Sequence, residues 1–339
     1  MLLATLMLLQ TVPAATAQDA QAVPTAEVKA IGETQAVASL EDAADDPAIW
    51  RNPRDPARSL IVATDKKAGL NVYDLSGKLR STLPAGRVNN VDLRVWGGQV
   101  IVAASDRNDK AAAKLALYTL DTRTAALAEI GRFDAGAGEA YGLCMYAPRG
   151  GRLHAFVVHK GGTIVQMEIL REGGAIKADR VRTMRLATQS EGCVADDRTG
   201  TLFVGEEDVG VWRFGANPRD PIAGEKVIAV DGKRLVDDVE GVAIAAEGAR
   251  GGWLVVSSQG DSAYGVWRLR DMAYAGRFRI AAGKFGATSE TDGIEVSTAS
   301  FGPGLQGGLM LAQDGDNAPA AQNFKLVRWA DVRKALGLK

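Results

Sequence analysis

Carboxylates that return at a near-constant interval are the residues of this chain best suited to chemistry. Asp46, Asp92, Glu191, Glu240 and Asp292 form such a series with Tyr141, successive members standing 46, 49, 50, 49 and 52 residues apart. Gly142, Gly192, Gly241 and Gly293 follow four of them directly, which lets backbones crowd together with no Cβ in the way. An Asp or Gly ahead of a strand is ordinarily a turn residue. Six in register are another matter: pointed at one axis, five carboxylates repel one another strongly enough to demand bound cations. The expected chemistry is binding of hard cations by oxygen and, through it, metal-assisted hydrolysis.

A second set of charged residues falls in turns further along each repeat. The first three turns carry Lys66-Lys67, Arg107 and His159-Lys160. The last three carry Glu206-Glu207-Asp208, Gln259-Gly260-Asp261 and Gln313-Asp314-Gly315-Asp316-Asn317. Oxygen-rich turns suit calcium, whose coordination number is flexible, and Lys or Arg opposite them suit a ligand with several anionic oxygens. A multiply phosphorylated small molecule, bridging metals and basic residues, fits both halves. Solvated loops of mixed charge are the plainer alternative.

The elements that must hold these residues are short strands. Apolar segments begin at Leu60, Val100, Leu153, Leu202, Leu254 and Leu309, separated by 40, 53, 49, 52 and 55 residues. Each is followed by a polar turn and a second strand, such as Leu70-Asn71-Val72-Tyr73 or Val211-Trp212-Arg213-Phe214. Six copies of strand, turn, strand, each with room for two more strands, predict an all-β fold: a six-bladed β-propeller closed as a single domain. Because antiparallel strands reverse direction, the carboxylate series and the charged turns share one mouth. The last unit lacks an outer strand after Trp329, and residues 26–31 are expected to supply it and close the ring. Residues 331–336 could form one short helix.

Bulk properties exclude other classes. The 339 residues include 40 basic and 41 acidic ones, a net charge of −1, which argues against nucleic-acid binding. The start, Met-Leu-Leu-Ala-Thr-Leu-Met-Leu-Leu, followed by Ala15-Thr16-Ala17, reads as a signal peptide over residues 1–17 with cleavage near Ala17. Export to the periplasm or medium is expected, with residues 18–339 forming a monomeric propeller and no membrane span. Cys144 and Cys193 can pair in an oxidising compartment, but the preferred reading is two small buried hydrophobes. With His154 and His159 as the only histidines, any metal site must be built from oxygens. No nucleophile elbow or P-loop is present, which leaves attack by a metal-activated water.

Taken together, the fragments resemble the β-propeller, or alkaline, phytases over essentially the whole mature chain. They include Asp45-Asp46-Pro47-Ala48-Ile49-Trp50, Asn89-Asn90-Val91-Asp92, Ser190-Glu191-Gly192, Gly205-Glu206-Glu207-Asp208 and Asp238-Val239-Glu240-Gly241. Ser257-Ser258-Gln259-Gly260, Thr291-Asp292-Gly293-Ile294 and Gln322-Asn323-Phe324-Lys325 continue the series. The resemblance implies calcium-dependent release of phosphate from phytate, the hexakisphosphate of myo-inositol, with several calcium ions at the mouth. It implies metal ligands at Asp46, Glu191, Glu207, Asp238, Glu240, Gln259 and Asp292. Of these, Asp46, Glu191, Glu207 and Glu240 would be catalytic. Phosphate binding would fall to Lys66, Lys67, Arg107, Tyr141 and Lys160. Two departures stand out: Lys284-Phe285-Gly286-Ala287 lacks an acidic residue expected for a peripheral structural calcium, and Asp261 stands where an uncharged residue is usual. A calcium-dependent lactonase or arylesterase and a non-catalytic polyanion-binding propeller are the alternatives.

Overall fold

A computed structural model describes residues 23–339. The signal-peptide expectation for residues 1–17 lies outside the described residues. Among those described, the strands form six sheets, five of four strands and one of five. This is the expected six-bladed propeller. Blade 1 runs Ala44–Trp50, Leu60–Asp65, Gly69–Asp74 and Leu79–Pro84, each strand antiparallel to the next. The inner strands of blades 2 to 6 are Val88–Trp96, Ala140–Tyr146, Ser190–Asp196, Val239–Glu247 and Ile294–Ser297.

Burial follows from position in the blade. Second strands are apolar on both faces because a blade packs on either side, and Leu60–Asp65 and Leu153–His159 are buried throughout. Outer strands are more exposed; in Leu79–Pro84, exposed and half-buried residues alternate from Arg80 onward. The core is therefore divided into inter-blade layers. Val62, Leu70 and Val72 of blade 1 pack on Val100, Val102 and Tyr118 of blade 2. At the seam where the chain ends meet, Ile61, Ala63 and Tyr73 pack on Leu309, Leu311 and Phe324. The short helix is present as Trp329–Leu336, with Trp329 and Val332 buried.

Closure differs from expectation in one respect. Residues 26–31 are expected in the last blade, but Thr25–Lys29 runs parallel to Ala273–Ala281 and covers the outer edge of blade 5. The outer strand of blade 6 is Gly32–Glu33, antiparallel to Asn323–Arg328. The chain passes the exposed edge of blade 5 before reaching blade 6, and one segment caps both. A fully buried ammonium pins the second cap: Lys325 Nζ lies 2.6 Å from Glu33 Oε2 and 3.0 Å from Asp314 Oδ2.

The cysteines also depart from the preferred reading. They form a disulfide, Cys144–Cys193, joining the inner strands of blades 3 and 4. Both side chains are buried as expected, but in adjacent strands close enough to bridge.

Candidate active site

Strand register decides which residues are equivalent. In blades 1 to 5 the pairing of the inner strand breaks at one place: Ala44/Pro47, Val88/Val91, Ala140/Gly142, Ser190/Cys193 and Val239/Val242. Such bulges re-aim the side chains they carry. The residues they present are Asp45, Asn89, Tyr141, Glu191 and Glu240, with Asp292 at the corresponding point of blade 6. The ring of five carboxylates and a phenol is thus corrected to four carboxylates, an amide and a phenol. In blade 1 the position belongs to Asp45; Asp46 occupies the slot that is glycine in blades 3 to 6. In blade 2 it belongs to Asn89, three residues before Asp92.

The glycines following the series have a definite reason. A Cβ on Gly142 would lie 1.8 Å from the Glu191 carbonyl oxygen, and one on Gly192 would lie 2.0 Å from that of Glu240. Each glycine lets its inner strand press against the next blade's site residue. Backbone bonds complete the contact in blades 5 and 6, where Gly241 N–H donates to Asp292 C=O (2.7 Å) and Gly293 N–H to Asp45 C=O (3.0 Å).

These residues open into a cavity of about 610 Å³, lined among others by Lys66, Tyr141, Glu191, Glu207, Asp238, Glu240, Gln259 and Asp292. Eight of the twelve expected site residues therefore meet in one place. At its floor, Glu191, Glu207 and Glu240 are all buried, with carboxylate oxygens that lie within 4.8 Å of one another. Burial pushes the Glu191 and Glu240 carboxyls well above the usual range, and neighbouring carboxylates push them further. Glu207 is raised by burial, and Asp238 by burial and then by Asp237. Asp292 is pushed up to about 7 by burial; Lys66 opposes the shift and Asp45 reinforces it. Glu206, adjacent in sequence, plays no part: its oxygens are taken by Ala187 N–H, Thr188 and the Trp212 indole N–H. Asp261 is likewise engaged, with Arg277 and the Ser258 hydroxyl.

Basic groups border these carboxylates. Lys66 Nζ is held by Asp42 (2.6 Å), Asp292 (2.9 Å) and Asp45 (3.2 Å). Burial alone would lower its pKa, but these carboxylates more than offset that and keep the ammonium charged. Arg107 and Lys160 flank Tyr141, 5.2 and 4.6 Å from the ring centroid. Arg107 also donates to Asn89 and pairs with Glu139 at 2.8 Å. Burial and then Glu191 raise the Tyr141 pKa, so the phenol keeps its proton and can donate it in a hydrogen bond.

Two expected residues point elsewhere. Lys67 sits outside the cavity, donating to Leu40 C=O (2.6 Å) with a side chain 41% exposed. Asp46 accepts from Val91 N–H (3.1 Å) and lines a separate cavity of about 270 Å³ with Asp92, Arg94 and Glu295. His159, expected at the rim, is buried with its ring nitrogens facing the carbonyls of Ala137 and Ala135. The residues missed by sequence reasoning are Asp45, Asn89 and Asp42. The glycine that marks the site residue in blades 3 to 6 is replaced by Asp46 in blade 1 and Asn90 in blade 2, so the sequence carries no such marker for the first two.

The donor set fits a hard cation. It consists of carboxylate and amide oxygens, with no sulfur or imidazole among the lining residues. Asp45 Oδ1, Glu207 Oε1 and Glu240 Oε2 are buried oxygens without a hydrogen-bond partner, a costly arrangement unless a cation satisfies them.

Fold and site together define a propeller whose axial mouth gathers carboxylates on one side and cations around a phenol on the other. The family model described as Phytase matches residues 1–339. A 3-phytase of Bacillus subtilis (strain 168) is 37% identical over 327 residues, spanning 92% of this chain and 86% of that protein. The chain belongs to the phytase family, and it is an enzyme of the phosphatase class.

Proposed function

We propose that this enzyme releases phosphate from phytate in a calcium-dependent reaction, with several calcium ions held at the mouth. The observation that carries the reading is the buried group Glu191, Glu207 and Glu240, with its orphaned oxygens, facing Lys66, Tyr141, Arg107 and Lys160. Asp45, Glu191, Glu207, Asp238, Glu240, Gln259 and Asp292 are the proposed calcium ligands. Asp45 replaces Asp46 in that set because its carboxylate shares Lys66 with Asp292. Bound calcium supplies Lewis acidity and a more acidic water.

The chain's own residues do the remaining work. Lys66, Arg107 and Lys160 bind phosphate oxygens by charge-assisted hydrogen bonds, and the Tyr141 hydroxyl donates to one of them. A substrate with several phosphates reaches both sides of the mouth at once, whereas a simple monoester reaches one. The buried floor limits bulk water around the reacting phosphate. Export with cleavage near Ala17 is part of the proposal, supported by the Cys144–Cys193 disulfide, which suits an oxidising compartment. Phosphate release from phytate, measured with calcium and with excess chelator, tests the reading. Release in calcium and none in chelator is expected; equal release in both would end it.

A further inference from the structure

Behind the mouth, the second strand of each blade contributes one residue at the same register position: Thr64, Ser105, Val158, Gly205, Ser257 and Gln313, the last of which also lines the cavity. Three of them reach the next blade. Ser105 Oγ accepts from Asn90 N–H in its own blade (2.9 Å) and donates to Tyr141 C=O in the next (2.6 Å). Ser257 Oγ donates to the carbonyl of Thr291, the residue before Asp292 (2.7 Å). Gln313 works at the seam between the last blade and the first. Its Oε1 accepts from Asp292 N–H (2.8 Å) and its Nε2 donates to the carbonyl of Ala44, the residue before Asp45 (3.2 Å). Val158 has no group for such a bond, and at its seam the Cys144–Cys193 disulfide joins the inner strands instead.

We propose that Gln313 is a positioning residue for the cation site, setting the separation of Asp45 and Asp292 across the ring seam, and that Ser257 does the same between blades 5 and 6. The inference rests on the reading that the mouth binds calcium. Asp45 and Asp292 both hold the Lys66 ammonium, so their spacing governs that side of the site. No short chain connection fixes it, since one belongs to the first blade and the other to the last. Gln313 is fully buried and uses both ends of its amide. An apolar residue there would leave a buried N–H and a buried C=O without partners, and the strands would shift to recover them. Ligating groups tolerate displacements of only about 0.5 Å before function suffers.

Calcium titration by calorimetry on the whole chain, without substrate, separates positioning from general stability. The variants are Gln313→Met, Ser257→Ala and, as a matched control, Gln166→Met. Gln166 is equally buried and donates to Ala216 C=O (2.8 Å), but does not line the mouth. Gln313→Met should weaken calcium binding about tenfold or more at a temperature where circular dichroism shows it folded. Ser257→Ala should act in the same direction with a smaller effect. Gln166→Met should lower the melting temperature and leave calcium affinity unchanged. Wild-type affinity in Gln313→Met, or an equal loss in Gln166→Met, overturns the proposal. If Gln313→Met does not fold, Ser257→Ala decides, and unchanged affinity there overturns it. A wild-type chain that binds no calcium refutes the reading of the mouth itself, a different result from unaltered binding in the variants.

Discussion

Glu240 lines the cavity and Lys160 stands against the Tyr141 ring at its edge, with opposite charge, and they should fail differently when altered. Glu240→Gln keeps the shape but removes a ligand charge, so calcium affinity and turnover should both fall, turnover by about 100-fold or more. Lys160→Ala should leave calcium binding intact and raise KM for phytate about tenfold. Steady-state kinetics with a parallel calcium titration checks both; indistinguishable defects would remove the division of labour. The raised carboxyls also give a pH effect. Asp292 ionises near 3.8 when unperturbed and at about 7 in the folded chain, so between those values the unfolded state loses the proton first. In chelator the protein should therefore lose stability as pH rises from about 4 to about 7, and melt lower at pH 8 than at pH 5. Calcium should reverse the difference, and thermal melts at the two pH values with and without it are the check. At this scale sequence reading placed Glu191, Glu240 and Asp292 correctly at the mouth. It missed Asp45 because two adjacent aspartates offer no hint of which one the bulge turns inward.

Blades and their seams carry the next set of consequences. Gly192→Ala would drive a Cβ to 2.0 Å from the Glu240 carbonyl oxygen, which is backbone and cannot swing aside. That variant should lose stability by about 1–3 kcal/mol and calcium affinity with it, since the strand it displaces carries Glu240. Lys325→Met strips the buried ammonium from Glu33 and Asp314 and should cost about 3–5 kcal/mol in denaturant unfolding, loosening the closure strand. An unchanged midpoint would mean that the ring closes without that pair. The repeating strands were readable because apolar runs and turns recur with the blade period. The closing segment was not, because residues 26–31 carry the alternation of an edge strand without saying which edge they meet.

Across the whole molecule, a net charge of −1 conceals a concentration of carboxylates around one mouth, with Lys66 among them and Arg107 and Lys160 against Tyr141. A propeller achieves this because every blade delivers the start of its inner strand and its neighbouring turn to the same end of the axis. Acidic turns cluster in one half of the chain and basic turns in the other, and ring closure brings the two sets together, with Lys66 of the first blade against Asp292 of the last. That much follows from the order of the blades. The cost of the floor carboxylates, and the seam bonds that hold them in place, required the folded chain. The central claim is that Glu191, Glu207 and Glu240 hold calcium against the substrate's phosphates, and the most direct measurement is crystallographic. Crystals grown with calcium and an inositol polyphosphate analogue that resists hydrolysis should show anomalous density among those three carboxylates, with phosphate oxygens beside it and beside Lys66. Phosphate bound at the basic side with no ion among the three carboxylates would contradict the account.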